Sequence, residues 1–363
     1  MRVGILGGGQ LGRMLALAGY PLGLRFRFLD PNPDSPAGAL AELVVADYDD
    51  PDALRRFAEG LDVVTYEFEN VPAAAADFLD DHVPAVHPHY EALAAAQDRL
   101  AEKNTFRRLA IPTAPFEAVD SREDLARAIG TIGLPAVLKT RRFGYDGKGQ
   151  FVLREPADLD RAWDALRGSP LILEGFVDFE RELSIIAVRG RDGDVAFYPL
   201  VENVHHQGIL RRSVVPAPNI PEELQGRAEA YARSVLEIFD YVGVLAIELF
   251  QHGSELLANE MAPRVHNSGH WSIEGAETSQ FENHIRAICG MPLGSTAVRG
   301  CAAMVNLIGS PPDRDRILAV PEAHLHLYEK APRPGRKLGH VTVRANEMAT
   351  LMERVAALEA LLE

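Results

Sequence analysis

Short apolar runs alternate with amphipathic stretches through the first hundred residues. Positions 2–6, 25–30, 43–45 and 63–66 carry the strand pattern, and 10–18, 51–59 and 72–79 carry the helical one between them. Strand, helix, strand in succession is the rhythm of a parallel sheet covered on both faces. A polar helix is predicted over 98–109 and must stop before Pro112, because the residue preceding a proline is pushed out of helical geometry. A smaller unit follows, with strands at 116–119, 136–139, 151–153 and 171–174 and helices at 122–129 and 156–166. Beyond residue 180 the strands lengthen (181–189, 245–250, 255–260), with one long helix over 221–239. That pattern predicts a largely antiparallel sheet with helices on one side. Strands at 302–307 and 339–343 and an amphipathic helix close the chain. The predicted units are 1–100, 101–178 and 179–363.

Composition narrows the classes. At 363 residues the chain can bury two or three cores, and 47% hydrophobic residues suit a globular protein. A net charge of −15 disfavours a general nucleic-acid or anionic-membrane binder, since both need a positive field. Two cysteines, Cys289 and Cys301, make neither a disulfide framework nor a four-ligand zinc site. The opening MRVGILGGG lacks a signal-peptide pattern, and no apolar run has the length of a membrane span, so a cytoplasmic protein is expected.

Three constellations carry chemistry. Gly7, Gly9 and Gly12 have G-x-G-x-x-G spacing after a strand and at the start of a helix, where amides can approach a phosphate. Asp30 ends the next strand, which suits NAD as well as other phosphorylated ligands. The stretch LKTRRFGYDGKGQ then puts Lys139 at a strand end and Gly144, Gly147 and Gly149 in a loop able to fold over a triphosphate, with Lys148 on its oxygens. No GK[ST] opens a helix, so this is not a P-loop. Finally, Glu248 and Glu260 lie on adjacent apolar strands, where an isolated buried carboxylate is disfavoured and a shared cation removes the objection. An odd number of turn residues near 252–254 sets both acids diagonally on one face; an even number sets them on opposite faces.

Together these features resemble the ATP-grasp superfamily, whose fold joins a Rossmann-like N-terminal domain, a small lid domain and a C-terminal, mostly antiparallel α+β domain. The closer resemblance is to the 5-(carboxyamino)imidazole ribonucleotide synthase family. It rests on GILGGGQLGRM, TYEFENVP, QDR with a following EK, GYDGKGQ, NEMAPRVHNSGHW and YEKAPRPGRKLGH, in the family's order across nearly the whole chain.

The resemblance implies ATP, magnesium, bicarbonate and 5-aminoimidazole ribonucleotide as ligands, and a homodimer. Arg99, Lys139 and the loop Gly144, Tyr145, Asp146, Gly147, Lys148, Gly149 and Gln150 would meet the phosphates. Glu174, Gly175, Phe176 and Val177 would line the adenine, Glu182 the ribose, and His205 the nucleotide's flank. Asn259 precedes the metal ligand Glu260, whose partner is Glu248. For the ribonucleotide, the resemblance implies amides of Gly8, Gly9, Gln10 and Leu11, charge from Arg264, Lys330 and Arg336, and a loop of His266, Asn267 and Ser268. Glu67, Tyr145 and Asp146 would lie near the imidazole. Catalysis is assigned to Lys139, Lys148, Arg264 and Asp146.

The implied reaction has two steps: bicarbonate attacks the γ-phosphate to give carboxyphosphate and ADP, and the exocyclic amine captures the carboxyl group. Three rivals remain at this level, one of them a catalytically idle nucleotide sensor, which has no need for two metal carboxylates. A formate-using transformylase would keep the ATP site, and an NAD-dependent oxidoreductase would use Gly7–Gly12 and Asp30 but leave the acid pair without a role.

Overall fold

The computed structural model describes residues 1–144, 148–310 and 313–362. Strands β1 (Arg2–Leu6), β2 (Arg25–Asp30), β3 (Glu42–Val45) and β4 (Val63–Tyr66) form a parallel sheet in the order β3-β2-β1-β4. Successive side chains point to opposite faces, so each strand feeds two cores. Val3, Ile5, Phe26 and Phe28 pack with Leu11, Met14 and Leu15 of helix Gln10–Gly19. Leu6, Leu29, Val64 and Tyr66 pack with Leu54 and Phe57 on the other side.

A second sheet holds β5 (Phe116–Val119), β6 (Ala136–Thr140), β7 (Gln150–Leu153) and β8 (Leu171–Gly175), antiparallel in the order β5-β8-β6-β7. Ala136, Leu138, Leu171 and Leu173 face a core made with helices Arg122–Ile132 and Asp158–Leu166. The same alternation turns Val137, Lys139 and Glu174 to the opposite face, and that face looks into the site.

The third sheet contains β9 (Arg181–Arg189), β10 (Val195–Phe197), β11 (Val201–His206), β12 (Ile209–Val215), β13 (Gly243–His252), β14 (Glu255–Ala262), β15 (Cys301–Ile308), β16 (Ala323–Leu327) and β17 (Lys337–Ala345). It is antiparallel, in the order β14-β13-β9-β11-β12-β15-β17-β16, with β10 on β9. The expectation of helices on one side is corrected here. Leu183, Ile185 and Ala187 meet helix Glu222–Ile238, whereas Ile186 and Val188 meet helix Gln280–Ile288 on the opposite face. The unbroken apolar run IIAV in β9 is what a strand covered on both faces requires. Helix Met348–Leu362 lays Leu351, Val355 and Leu358 over β15 and β17. No helix among the described residues is long and apolar enough to cross a membrane.

Helix Gln10–Gly19 packs on helix Gln280–Ile288 and so docks the parallel sheet against the large one. His284 lies buried in that junction. Its Nδ1 accepts from the Val244 N–H at 3.1 Å, which leaves the proton on Nε2 to donate to Thr65 Oγ1 at 2.9 Å.

Candidate functional site

The three sheets enclose a cavity of about 550 Å³. Its floor is the β13–β14 hairpin. The connection is the two-residue turn Gly253–Ser254, the even case that would set Glu248 against Asn259 and turn Glu260 away. A β-bulge corrects the parity. Between Glu248 and Leu249 the register shifts by one residue, Asn259 becomes the extra residue, and Glu248 stands directly opposite Glu260. The expected diagonal arrangement from an odd turn is therefore replaced by a direct pair from an even turn plus a bulge.

The two carboxylates are inequivalent. Burial, then the charge of Glu260, pushes Glu248 up to about 7. Burial also acts on Glu260, but Arg99 Nη1 at 2.9 Å outweighs it and holds that carboxyl below the usual range. Among the described residues no group of three or more His, Cys, Asp or Glu stands ready to hold a metal. Two carboxylates facing a phosphate-sized space still fit a hard divalent cation, because magnesium takes one or two protein carboxylates and completes its shell with phosphates and water.

Around this floor stand the cations. Lys139 Nζ donates to Glu174 Oε2 at 3.0 Å, and the buried Lys103 approaches the same oxygen at 3.3 Å. Burial lowers Lys139 despite Glu174, while the lysines drive Glu174 well below the usual range against its own burial. Lys103 went unassigned from sequence, although the EK after QDR marked it. Gly144, Lys148 and Gln150 line the cavity, whereas Gly149 (φ +70°) turns away and accepts from the Thr140 N–H at 2.8 Å. Tyr145, Asp146 and Gly147 lie outside the described residues.

An apolar slot lies between Val137, Val152, Phe176 and the stacked rings of Phe179 and Phe250, whose centroids are 4.6 Å apart. The Glu174–Val177 segment lines it, with the Gly175 and Phe176 amides already donating to the carbonyls of Pro115 and Pro135. His205 Nδ1 bonds Glu182 Oε2, both at the cavity wall. Burial opposes protonation of His205, but the Glu182 hydrogen bond overcomes it and raises the imidazole. His205 sits on the β11–β12 hairpin, which the hydrophobic pattern of the chain does not mark. Its signal was Gln207–Gly208, where both residues have positive φ as a two-residue hairpin turn demands.

The first glycine cluster is corrected. Gly8 N–H donates to Asp30 Oδ2 at 2.7 Å, Gly9 N–H to Glu67 Oε1 at 2.5 Å, and Gly12 N–H to Glu67 Oε2 at 2.8 Å. A carboxylate of the chain itself occupies the anion nest at the helix N-terminus, so these amides are not presented to a substrate phosphate. The glycines serve that carboxylate: a Cβ at Gly9 would lie 2.3 Å from Glu67 Oε1, and Gly7 has φ +99°. Gln10, Leu11 and Glu67 do line the cavity, and Lys330 Nζ donates to Gln10 Oε1.

On the far side, Arg264 and His266 reach the cavity, but Arg264 Nε donates to Glu69 Oε2 at 2.5 Å. His266 Nε2 is 3.3 Å from Glu248 Oε1. Asn267 lines the cavity with its amide paired to that of Asn306 at 2.8 and 3.2 Å. Ser268, expected in the binding loop, is fully buried and bonds His266 Nδ1 at 2.8 Å. Arg336 Nη1 donates to the Ala331 carbonyl at 3.2 Å, and its neighbour Lys337 lines the cavity.

A cavity where nucleotide-sized apolar and cationic walls meet over paired carboxylates agrees with what family comparison finds. Residues 104–281 match the ATP-grasp domain, 1–97 the ribonucleotide synthetase preATP-grasp domain, and 302–354 the phosphoribosylaminoimidazole carboxylase C-terminal domain. The class is thus an ATP-grasp enzyme. The N5-carboxyaminoimidazole ribonucleotide synthase of Pseudomonas aeruginosa is 56% identical over 363 residues, covering all of both chains. The crystal structure of the Thermus thermophilus synthetase matches at 60% identity with a TM-score of 0.96, over 99% of this chain and 98% of that one. A synthase from Aspergillus clavatus, solved with ADP and 5-aminoimidazole ribonucleotide, matches at 33% identity and 0.93, over 99% and 98%. The chain belongs to the N5-carboxyaminoimidazole ribonucleotide synthase family, ATP-dependent enzymes of purine biosynthesis. The expected fold, family and enzyme class are borne out.

Proposed function

We propose that the cavity carboxylates the exocyclic amine of 5-aminoimidazole ribonucleotide with ATP and bicarbonate, and that the residues described above divide the work. A bicarbonate oxygen attacks the γ-phosphorus, the bond to the bridging oxygen breaks, and ADP leaves with that electron pair. The amine nitrogen then takes the carboxyl carbon of carboxyphosphate, directly or as carbon dioxide, while inorganic phosphate departs and the amine loses a proton.

Phosphoryl transfer needs position and charge neutralisation more than covalent help. Lys139, Lys148 and Arg99 supply fixed positive charge at the phosphate end. Glu248 and Glu260 would hold magnesium, which neutralises phosphate charge when bound. The slot formed by Val137, Val152, Phe176 and Phe179 takes the purine, and Glu182 takes the ribose. The ribonucleotide would lie along Gln10, Leu11, Glu67 and Lys337, with Arg264 and His266 at the carboxyl-transfer end.

The observation that carries this reading is the direct opposition of Glu248 and Glu260 in the same cavity as Lys139 and Arg99. Replacing Glu248 or Glu260 by Gln is expected to lower ADP release with bicarbonate and ribonucleotide by at least about 100-fold while the protein still melts cooperatively. Full turnover in either variant removes the metal assignment. ADP release that depends on formate instead would favour the transformylase chemistry. A homodimer belongs to the same proposal, and light scattering that returns the mass of one chain would remove it.

A further inference from the structure

Gln280 opens helix Gln280–Ile288, yet its side chain turns inward beneath the 264–268 loop and is fully buried. Its amide grips both main-chain groups of His266. The His266 N–H donates to Oε1 at 3.0 Å, and Nε2 donates to the His266 carbonyl at 2.6 Å. The second Nε2 hydrogen is directed at His270 Nδ1, 3.3 Å away. Turning the amide over would set donor against donor and acceptor against acceptor, so its orientation follows from its partners. Gly269 allows this approach, because a Cβ there would lie 2.5 Å from Gln280 Oε1. Ser268 completes the arrangement: its hydroxyl and its N–H reach His266 Nδ1 at 2.8 and 3.3 Å. With Nδ1 accepting, the ring proton sits on Nε2, and Nε2 faces Glu248.

We propose that Gln280, which is not in the cavity wall, is a positioning residue for carboxyl transfer: it holds the His266 main chain so that the ring presents its Nε2–H to Glu248 and the cavity. An irregular buried loop needs partners for its main chain in any protein. Here the residue so held is one whose ring reaches Glu248, which links the grip to turnover rather than to folding alone.

Gln280→Met keeps length and bulk and removes both bonds. It is expected to lower kcat by about 10- to 100-fold, the usual range for residues that orient a functional side chain, while KM for ATP moves by no more than about twofold. Gln280→Glu supplies the second readout. As a neutral acid it reproduces the grip, with its O–H donating to the His266 carbonyl and its C=O accepting from the N–H. Once ionised it sets an oxygen against that carbonyl. Burial raises the introduced carboxyl, so kcat should stand near the parent's at the acid end of a profile from pH 6 to 8.5 and fall away from it towards the alkaline end. His266 and His270 are the titratable residues in hydrogen-bond contact with the side chain.

A folded Gln280→Met with parental kcat, or a Gln280→Glu profile parallel to the parent's, overturns the proposal; the second measurement decides if the first variant does not fold. The inference rests on His266 and Glu248 belonging to the reacting end. A fully active His266→Ala would remove both readings. An impaired His266→Ala beside an unimpaired Gln280→Met would remove this one alone.

Discussion

Two acidic side chains facing each other in one wall would repel, and the site answers by treating them unequally. Arg99 keeps Glu260 ionised, while Glu248, raised to about 7, has the His266 ring 3.3 Å away. A divalent cation stabilises both ionised forms, so the pair is costly when empty and favourable when filled. Arg264 is also held by neighbours: Glu69 Oε2 takes its Nε and Nη2 and the Val265 carbonyl takes Nη1, with the side chain bordering the cavity. Arg264→Ala is expected to raise KM for the ribonucleotide by about 10-fold or more, the loss of one charge-assisted contact, with KM for ATP little changed. A rise confined to ATP would mean the two pockets are exchanged. Glu67 is held by two amides, and Glu67→Gln must set an NH2 group against one of them. That should destabilise the fold by about 1–3 kcal/mol in urea titration, and an unchanged midpoint would show that the nest has no need of a carboxylate.

At the scale of elements, the outcome turns on parity. A hairpin with a two-residue turn keeps strict alternation, and Glu248 and Glu260 would then sit on opposite faces. One extra residue, Asn259, reverses that result for every position beyond it. The glycine-rich turn after β1 is equally dependent on backbone detail. Gly9→Ala would bring a methyl group to 2.3 Å from Glu67 Oε1, too close to survive without moving the carboxylate. The expected result is a less stable protein with impaired ribonucleotide binding, measured by thermal melting and by KM. A variant matching the parent in both would show that the turn relaxes freely. The motif spacing alone suited a phosphate; the structure satisfies its amides internally.

At the scale of the whole molecule, the sheets are joined through groups that must stay neutral. Burial, aided by the charge of His87, lowers His284 from 6.5 to about 3. A lowered base binds its proton more readily when unfolded, so its contribution is complete above the ordinary value and is lost as pH falls. Between pH 7 and pH 5 His284 alone should remove about 2 kcal/mol of stability, with His266, His270 and His340, all lowered by burial, acting in the same sense. Urea titrations at the two pH values check this, and His284→Leu should show a shallower loss on top of a lower stability at pH 7. An identical pH response in that variant would remove His284 from the account.

Much of this protein was legible one-dimensionally. Period-2 and period-3.6 patterning determined the parallel sheet, the small antiparallel sheet and the long helices, because burial of alternating side chains needs no knowledge of the partner. Lys139, Glu182, Glu248, Glu260 and Arg264 stood out as charges set in apolar or motif-bearing stretches, and all of them line one cavity. What sequence could not decide was which of two adjacent residues points inward and what already occupies a donor. Lys337 lines the cavity beside Arg336, Ser268 turns under His266, and Glu67 fills the glycine nest from 55 residues beyond Gly12. Those outcomes depend on bulges, on packing against distant elements, and on hydrogen bonds between residues far apart in the chain. Only the tertiary structure brings such partners together.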